Sequence, residues 1–514
     1  MDPINHPVLK RSGGQIEGDT VRRTWNSSIQ IDRAAAAPLT VQIVGALTER
    51  IRAGLLKPGE ALPGTRELAT QLGVNRKTVV QAYDELTSQG WLTSHARRRT
   101  SVSAELPILR KEQRVTTAAQ QLAGRLAEPG YEAYGRPLAP SADVQLDLID
   151  FTDGAPDTRL IPFEDLSKAF RIALIESARG NRMGYGDPRG LPLLRRELAA
   201  MLRGERGLNA DEDSLCVVRG SQMGIYLTAK LLVRAGDGVA MEQLSYPPAR
   251  DAFRACGGTI HNLEQDEQGV IPESLEMVCR AHRIRAVYLT PHHQFPTTVT
   301  MPLDRRLRIL ALAEQFDFVV VEDDYDHEFH FSHNPVLPMA SLDQGGRVIY
   351  IASLSKILAP GLRVGYVVAP PAIIDRLASE IMLIDRQGSI VTERAAAELL
   401  LNGKLKRHIR RALKEYEQRC QLAVRAVEQR LGSMASVTAP GGGLALWVRF
   451  TDTYDTVGLA QRALEGNIRV LPGSTFCDSA FTVHALRLGY GSMNEHEFRG
   501  GVERLFELIT RDSR

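Results

Sequence analysis

Towards the N-terminus the apolar positions fall at helical intervals. Ile43, Leu47 and Ile51 recur within 39–55 and predict one amphipathic helix, stopped by Gly54 and then Pro58-Gly59. Thr65 is expected to cap a short helix, RELATQL, that ends at Gly73; Asn75 caps a second, with Val79, Tyr83 and Leu86 on one face. After Gly90 the stretch WLTSHARRRTSVSA places β-branched and aromatic residues around a basic centre, the pattern of a short hairpin. Residues 35–104 therefore hold a compact helix, turn, helix and hairpin. They follow a polar, aperiodic segment, 1–34, that reads as a flexible N-terminal arm. Residues 105–146 carry Pro107, Pro129, Pro137 and Pro140 and read as a linker with some helical content. From 147 to 514 apolar runs such as SLCVV, AVYLT, DFVVVED and RVIYIAS alternate with amphipathic helices, which predicts an α/β domain with a mostly parallel sheet. GGLALWVRF and ALRLGYG mark a smaller C-terminal α/β lobe.

Composition adds a polarity to this layout. The 514 residues carry a net charge of +2, but residues 1–114 hold 17 Lys and Arg against 11 Asp and Glu. A basic small end beside a mildly acidic large end points to a polyanionic partner for the first part alone. The five cysteines are scattered, odd in number and without a C-x-x-C pair, which argues against a disulfide framework or a zinc site of that kind. With no apolar stretch of membrane-spanning length and no signal-peptide core, a cytoplasmic protein is expected.

A helix-turn-helix lays its second helix in the major groove of duplex DNA, while its first helix and a wing meet phosphates. Arg66 starts the first helix of the pair. Asn75, Arg76, Lys77 and Thr78 cluster at the N-terminus of the second, where the helix dipole favours an anion, and Arg97, Arg98 and Arg99 occupy the hairpin tip. The run LKPGEALPGTRELATQLGVNRKTVVQAYDELTSQGWL resembles the GntR winged-helix family in the order and spacing of its motifs. The wing of that family usually turns on glycines, whereas A-R-R-R-T stands here, so a more basic and less tight wing is expected.

In the larger part, Lys356 in SLSKILAPGLRVGY follows an apolar strand whose end can present an amine to a cleft, flanked by Ser353 and Arg363. The strand VVVEDDYD ends in carboxylates, of which Asp323 is the first choice and Asp324 the alternative to hold a cationic ring nitrogen. Tyr325, two residues beyond Asp323, lies on the same side of an extended segment. At the turn RGSQMG, Ser221 and the Gln222 amide open a helix and offer an anion site. An imine-forming lysine, a carboxylate, an aromatic and phosphate donors are what pyridoxal 5'-phosphate requires. These motifs resemble the fold-type I aminotransferases, and the whole arrangement resembles the MocR subfamily of GntR regulators over roughly residues 35–510. The resemblance implies that Tyr246 in EQLSYP stacks on the cofactor ring. It also implies that Tyr185 in YGDPRGLPLLR reaches the phosphate from the partner subunit, and that Arg487 in ALRLGY clamps the carboxylate of an amino-compound effector. A homodimer follows, with exchange of DNA-binding domains between subunits allowed by the same resemblance.

Three departures stand against the pattern. Related aminotransferases have an N-P-T-G motif, but HHQFPTT places Phe295 before the proline, so the asparagine bond to the ring oxygen is lost and His293 or Gln294 is expected to act nearby. Thr298 replaces a glycine. DHEFHFSH is rich in histidine; His327, His330 and His333 with Glu328 invite a metal reading, but an extended segment would spread them over both faces, so surface or pocket histidines and no metal are expected. The function expected is a DNA-binding transcription regulator in which an amino compound exchanges with an imine at Lys356. The alternative is a working aminotransferase that carries a DNA-binding domain.

Overall fold

The computed structural model describes residues 29–33, 35, 37–94, 99–104, 148–152, 154–180, 183–331, 337–451, 454–478 and 481–512. Most of the N-terminal arm, the linker, Arg97, Arg98 and His333 lie outside the described residues. Two compact units divide the chain, Met1–Leu138 and Ala139–Arg514.

In the first unit, helices span Leu39–Arg52, Thr65–Leu72 and Arg76–Ser88. Ile43, Leu47 and Ile51 are fully buried and meet Leu68, Val79, Ala82, Tyr83 and Leu86 in one core. Each such apolar side chain contributes about 1.5–3 kcal/mol on burial. Ile29, near the end of the arm segment, packs into the same core. The cap expected at Thr65 is instead Gly64, in extended conformation and without a side-chain bond, so Thr65 is the first residue of the helix. Gly73 closes that helix in the left-handed conformation, φ 62° and ψ 30°. Asn75 caps as its position predicts: its Oδ1 accepts from the Lys77 N–H at 2.9 Å. The Tyr83 hydroxyl donates to the Pro63 carbonyl at 2.9 Å and ties the third helix to the preceding turn. Leu92–Thr93 and Ser101–Val102 pair antiparallel as the hairpin.

The second unit is built on a seven-stranded sheet. From edge to edge its strands are Leu215–Val218, Gly365–Val368, Val348–Ser353, Val319–Asp324, Ile284–Leu289, Gly238–Glu242 and Thr259–Leu263. Only Gly365–Val368 runs antiparallel to its neighbours. The central strands are buried along their length, which is why they read as continuous apolar runs. A smaller lobe follows: Ala435–Val437, Ala445–Phe450, Ala485–Gly489 and Leu471–Pro472 form an antiparallel sheet. Its core joins residues of Lys404–Leu431 and Glu495–Asp512. Residues 149–150 pair with Ile468–Arg469 of that lobe, so the start of the unit lies against its end. No described helix is long and apolar enough to cross a membrane.

Candidate functional site

In an open parallel sheet, chemistry collects beyond the carboxyl ends of the strands. Three such ends meet here. Val319–Asp324 delivers Asp323 and Asp324 into opposite surroundings, because successive side chains of a strand alternate. Asp323 is buried, accepts from the Tyr288 hydroxyl at 2.7 Å through Oδ2, and leaves Oδ1 without a partner. Burial pushes its carboxyl up to about 7, against the lowering effect of the Tyr288 bond. Asp324 accepts from the Tyr350 hydroxyl at 2.6 Å and lies 3.9 Å from Arg206. Burial opposes its charge, but His327, His292 and Arg206 hold it well below the ordinary carboxylate range. Each acid has one buried oxygen without a partner, but only Asp324 has cations beside it, so Asp323 is the one whose charge the protein leaves unmet.

Val348–Ser353 leads to Lys356, whose Nζ donates to the Gly154 carbonyl at 3.1 Å. Arg487 comes from the small lobe to the same point: a Cβ on Gly154, whose φ is 47°, would lie 3.0 Å from Arg487 Nη2. Gly154 thus permits an approach that a larger residue would close, and nothing in the local sequence D-G-A-P announces it. Arg487 is buried, donates to the Thr152 carbonyl at 3.3 Å, shares a hydrogen bond with Tyr325, and keeps its Nε without a partner.

Phe295 is the hub beneath. The Arg487 guanidinium sits 4.5 Å from its ring centre, and Tyr246, Phe476 and Tyr325 meet it edge to face at 5.2, 5.5 and 6.0 Å. His293 and Gln294, expected to act nearby, both have partners within the protein. His293 Nδ1 is bound to Asp326 at 2.8 Å, and both ends of the Gln294 amide are taken, by the distant Leu244 carbonyl and by Phe295 and Thr297 of its own turn. Thr298 adopts φ 65°, a left-handed conformation that explains a glycine preference at this place.

The third end opens a helix beside a guanidinium and two hydroxyls. Gly220, with φ 76° and ψ 165°, opens the helix Ser221–Leu232. A Cβ on Gly220 would lie 2.7 Å from Arg363 Nη2, and one on Gly365 would lie 3.0 Å from the Ser221 N–H. Ser353 pairs in register with Gly365, so Ser221, Ser353 and Arg363 come together. The Ser353 hydroxyl is engaged with Val364 and Ser355 backbone, whereas the buried Ser355 Oγ, which sequence reasoning passed over, has no partner. Gln222 spends its Nε2 on the Pro248 carbonyl at 3.1 Å.

Tyr185 stands apart from this group. It is 80% exposed, with the Arg386 guanidinium 4.8 Å over its ring, and lines an open cavity of about 330 Å³ with Gln387 and Glu393. The histidine-rich segment also departs from expectation: residues 325–328 form a turn, not an extended strand. His327 and Glu328 are buried, with Glu328 paired to Arg206, while His330 Nδ1 meets the His327 carbonyl at 2.9 Å.

In the first unit, Arg66, Asn75, Arg76, Lys77 and Arg99 are exposed and Thr78 is half-buried. The Asn75 oxygen is spent on its cap, so only its NH₂ remains to meet another molecule.

Residues 147–505 match the family model of aminotransferase class I and II, and residues 39–102 that of bacterial regulatory proteins of the gntR family. The chain is 31% identical over 468 residues to the HTH-type transcriptional regulator TauR of Rhodobacter capsulatus, covering 90% of this chain and 95% of that protein. It is 30% identical over 477 residues to the probable rhizopine catabolism regulatory protein MocR of Rhizobium meliloti, covering 92% and 94%. Among solved structures, LysN, the α-aminoadipate aminotransferase of Thermus thermophilus complexed with N-(5'-phosphopyridoxyl)-L-leucine, superposes with a TM-score of 0.67 at 28% identity, covering 71% of this chain and 92% of that one.

Proposed function

The chain belongs to the MocR-type transcription regulators, which join a gntR-family domain to one of aminotransferase class I and II, and on that premise we propose that it senses an amino compound at Lys356 and transmits the event to DNA. The cofactor is pyridoxal 5'-phosphate. The cleft fits it: Asp323 Oδ1 and Ser355 Oγ are buried polar atoms in want of partners, and Gly220 leaves the room at the helix start that a phosphate needs. Bound there, the cofactor supplies an aldehyde carbon that bonds reversibly to a primary amine, either that of Lys356 or that of an effector in its place.

Asp323 would hold the ring nitrogen, with Tyr288 fixing the carboxylate by its hydrogen bond. Ser221, the Gln222 amide, Ser353 and Arg363 would bind phosphate, and Tyr246 would face the ring. Tyr325 orients Arg487, whose guanidinium is the cation available to an effector's acid group. Lys356 would hold the cofactor through its amine, and an amine not so engaged lies within reach of the Gly154 carbonyl, to which its Nζ donates at 3.1 Å. Ile149 and Asp150, a few residues before Gly154, pair with Ile468–Arg469 of the small lobe, so the exchange would be coupled to that lobe's position. The exposure of Tyr185 suits a residue offered to a second subunit of a homodimer. Arg66, Arg76, Lys77, Thr78, the Asn75 amide and Arg97 to Arg99 would meet the operator duplex, in the cytoplasm.

The observation that carries this reading is the convergence on Gly154 of Lys356 and Arg487, from different lobes. Fluorescence anisotropy with duplex from the region upstream of its own gene tests it. Arg487→Ala should keep the visible cofactor band while losing the change in DNA affinity that γ-aminobutyrate or L-alanine produces. A variant that responds like the wild type would remove Arg487 from the sensor.

A further inference from the structure

Behind Asp323, the ends of two adjacent strands carry a buried cluster that the cofactor reading does not use. His292 follows Ile284–Leu289, and Asp324 and His327 belong to the end of Val319–Asp324 and its turn. The three are 3%, 2% and 6% exposed, and one ligating atom from each lies within 4.8 Å of the other two. The His292 and His327 rings lie with centres 4.4 Å apart, tilted by 31°.

The hydrogen bonding of this cluster is incomplete in a directed way. Neither ring nitrogen of His292 has a partner, nor has Asp324 Oδ1. His327 Nδ1 lies 2.8 Å from Asp324 Oδ2, which holds the ring against the carboxylate. Buried polar atoms are nearly always bonded, so several orphans converging on one point want a common partner. The surrounding groups already have theirs. Tyr350 donates to Asp324 Oδ2 and fixes the carboxylate, His330 braces the His327 carbonyl, Asp326 is taken by His293, and the charge of Arg206 is met by Glu328. Arg306, the other nearby cation, donates to the Met301, Leu337 and Pro291 carbonyls.

We propose that His292, Asp324 and His327 form a binding site for a divalent transition metal of the zinc class. Two imidazoles and one carboxylate are a donor set that zinc takes readily and that calcium and magnesium, which prefer oxygen throughout, do not. The metal is a staple: it ties the turn that carries Phe295 to the strand end that carries Asp323 and Tyr325, bracing two walls of the cofactor cleft from behind.

The test uses the full chain with cofactor bound, incubated with Zn²⁺ and freed of excess by gel filtration, with metal measured by mass spectrometry. About one equivalent per chain is expected in the wild type and in His282→Asn, which removes the exposed member of the His261–His282 pair as an adventitious site. His292→Ser and His327→Ser should retain roughly tenfold less or lower. Zinc K-edge absorption of the wild type should show imidazole ligation, and this readout decides if either serine variant fails to fold. Absence of retained zinc, zinc lost only in His282→Asn, or a first shell without imidazole overturns the site.

Discussion

Replacing Gly220 with alanine adds one carbon at the phosphate end of the cleft. At φ 76° and ψ 165° the backbone lies in a region open almost only to glycine, so a side chain there costs about 1–3 kcal/mol in the folded state. The new Cβ would stand 2.7 Å from Arg363 Nη2 and 2.8 Å from its Cζ, closer than carbon and nitrogen tolerate, so the guanidinium must swing away. Losing its charge-assisted bond to a phosphate removes about 1.5–3 kcal/mol of binding. At about 1.4 kcal/mol per decade, the cofactor dissociation constant should rise roughly 10- to 150-fold. Absorbance titration of the cofactor-free protein measures this with pyridoxal 5'-phosphate and, in parallel, with pyridoxal, which lacks the phosphate. The loss should appear for the first and be nearly absent for the second. An unchanged affinity for pyridoxal 5'-phosphate, or an equal loss for both, would refute the assignment of Gly220 and Arg363 to the phosphate.

Further outcomes follow from the same reasoning. Arg76→Ala should weaken binding to any duplex and lower the slope of log affinity against log salt by about one if Arg76 meets a phosphate, which anisotropy at several salt concentrations reads directly. Tyr83→Phe leaves the Pro63 carbonyl without its donor and should lower the stability of the DNA-binding unit by about 1 kcal/mol, measured by urea unfolding. Glu393 is buried, accepts from the Leu191 N–H at 2.6 Å, and has its carboxyl pushed up to about 7 by burial. Its folded value lies above the unfolded one, so its contribution is complete below about pH 4.5 and is lost as pH rises through 7. Glu393→Gln should therefore match the wild type at pH 4.5 and exceed it by about 3 kcal/mol at pH 8 in urea midpoints; equal midpoints at both would contradict a raised value.

What could be read from the sequence is what depends on neighbours in the chain. Helical spacing fixed the face with Ile43, Leu47 and Ile51, and Asn75 caps because its own carboxamide reaches two residues on. Asp323 and Lys356 stood out because strand ends advertise themselves by an apolar run that stops. The exceptions have partners far away or local geometry that departs from the simplest guess. Thr65 failed as a cap because the preceding glycine takes the extended position, and the histidines after Asp324 were misplaced because a turn, not a strand, carries them. Tyr288 meets Asp323 across a neighbouring strand, and Gly154 meets Lys356 from 202 residues away. No local pattern encodes either. Arg487 was legible only through resemblance, since the groups it meets, the Thr152 carbonyl and Gly154, lie more than 300 residues earlier in the chain.

The most direct measurement follows the visible absorbance of the cofactor and the anisotropy of labelled upstream duplex in one titration, with γ-aminobutyrate, taurine and L-alanine as amines, for the wild type and Lys356→Ala. In the wild type, an amine that shifts the lysine-linked band should change DNA affinity over the same concentration range. Lys356→Ala should bind DNA yet show neither the band nor the response. A DNA response that survives intact in Lys356→Ala, with the wild-type midpoint, would contradict exchange at that lysine as the signal.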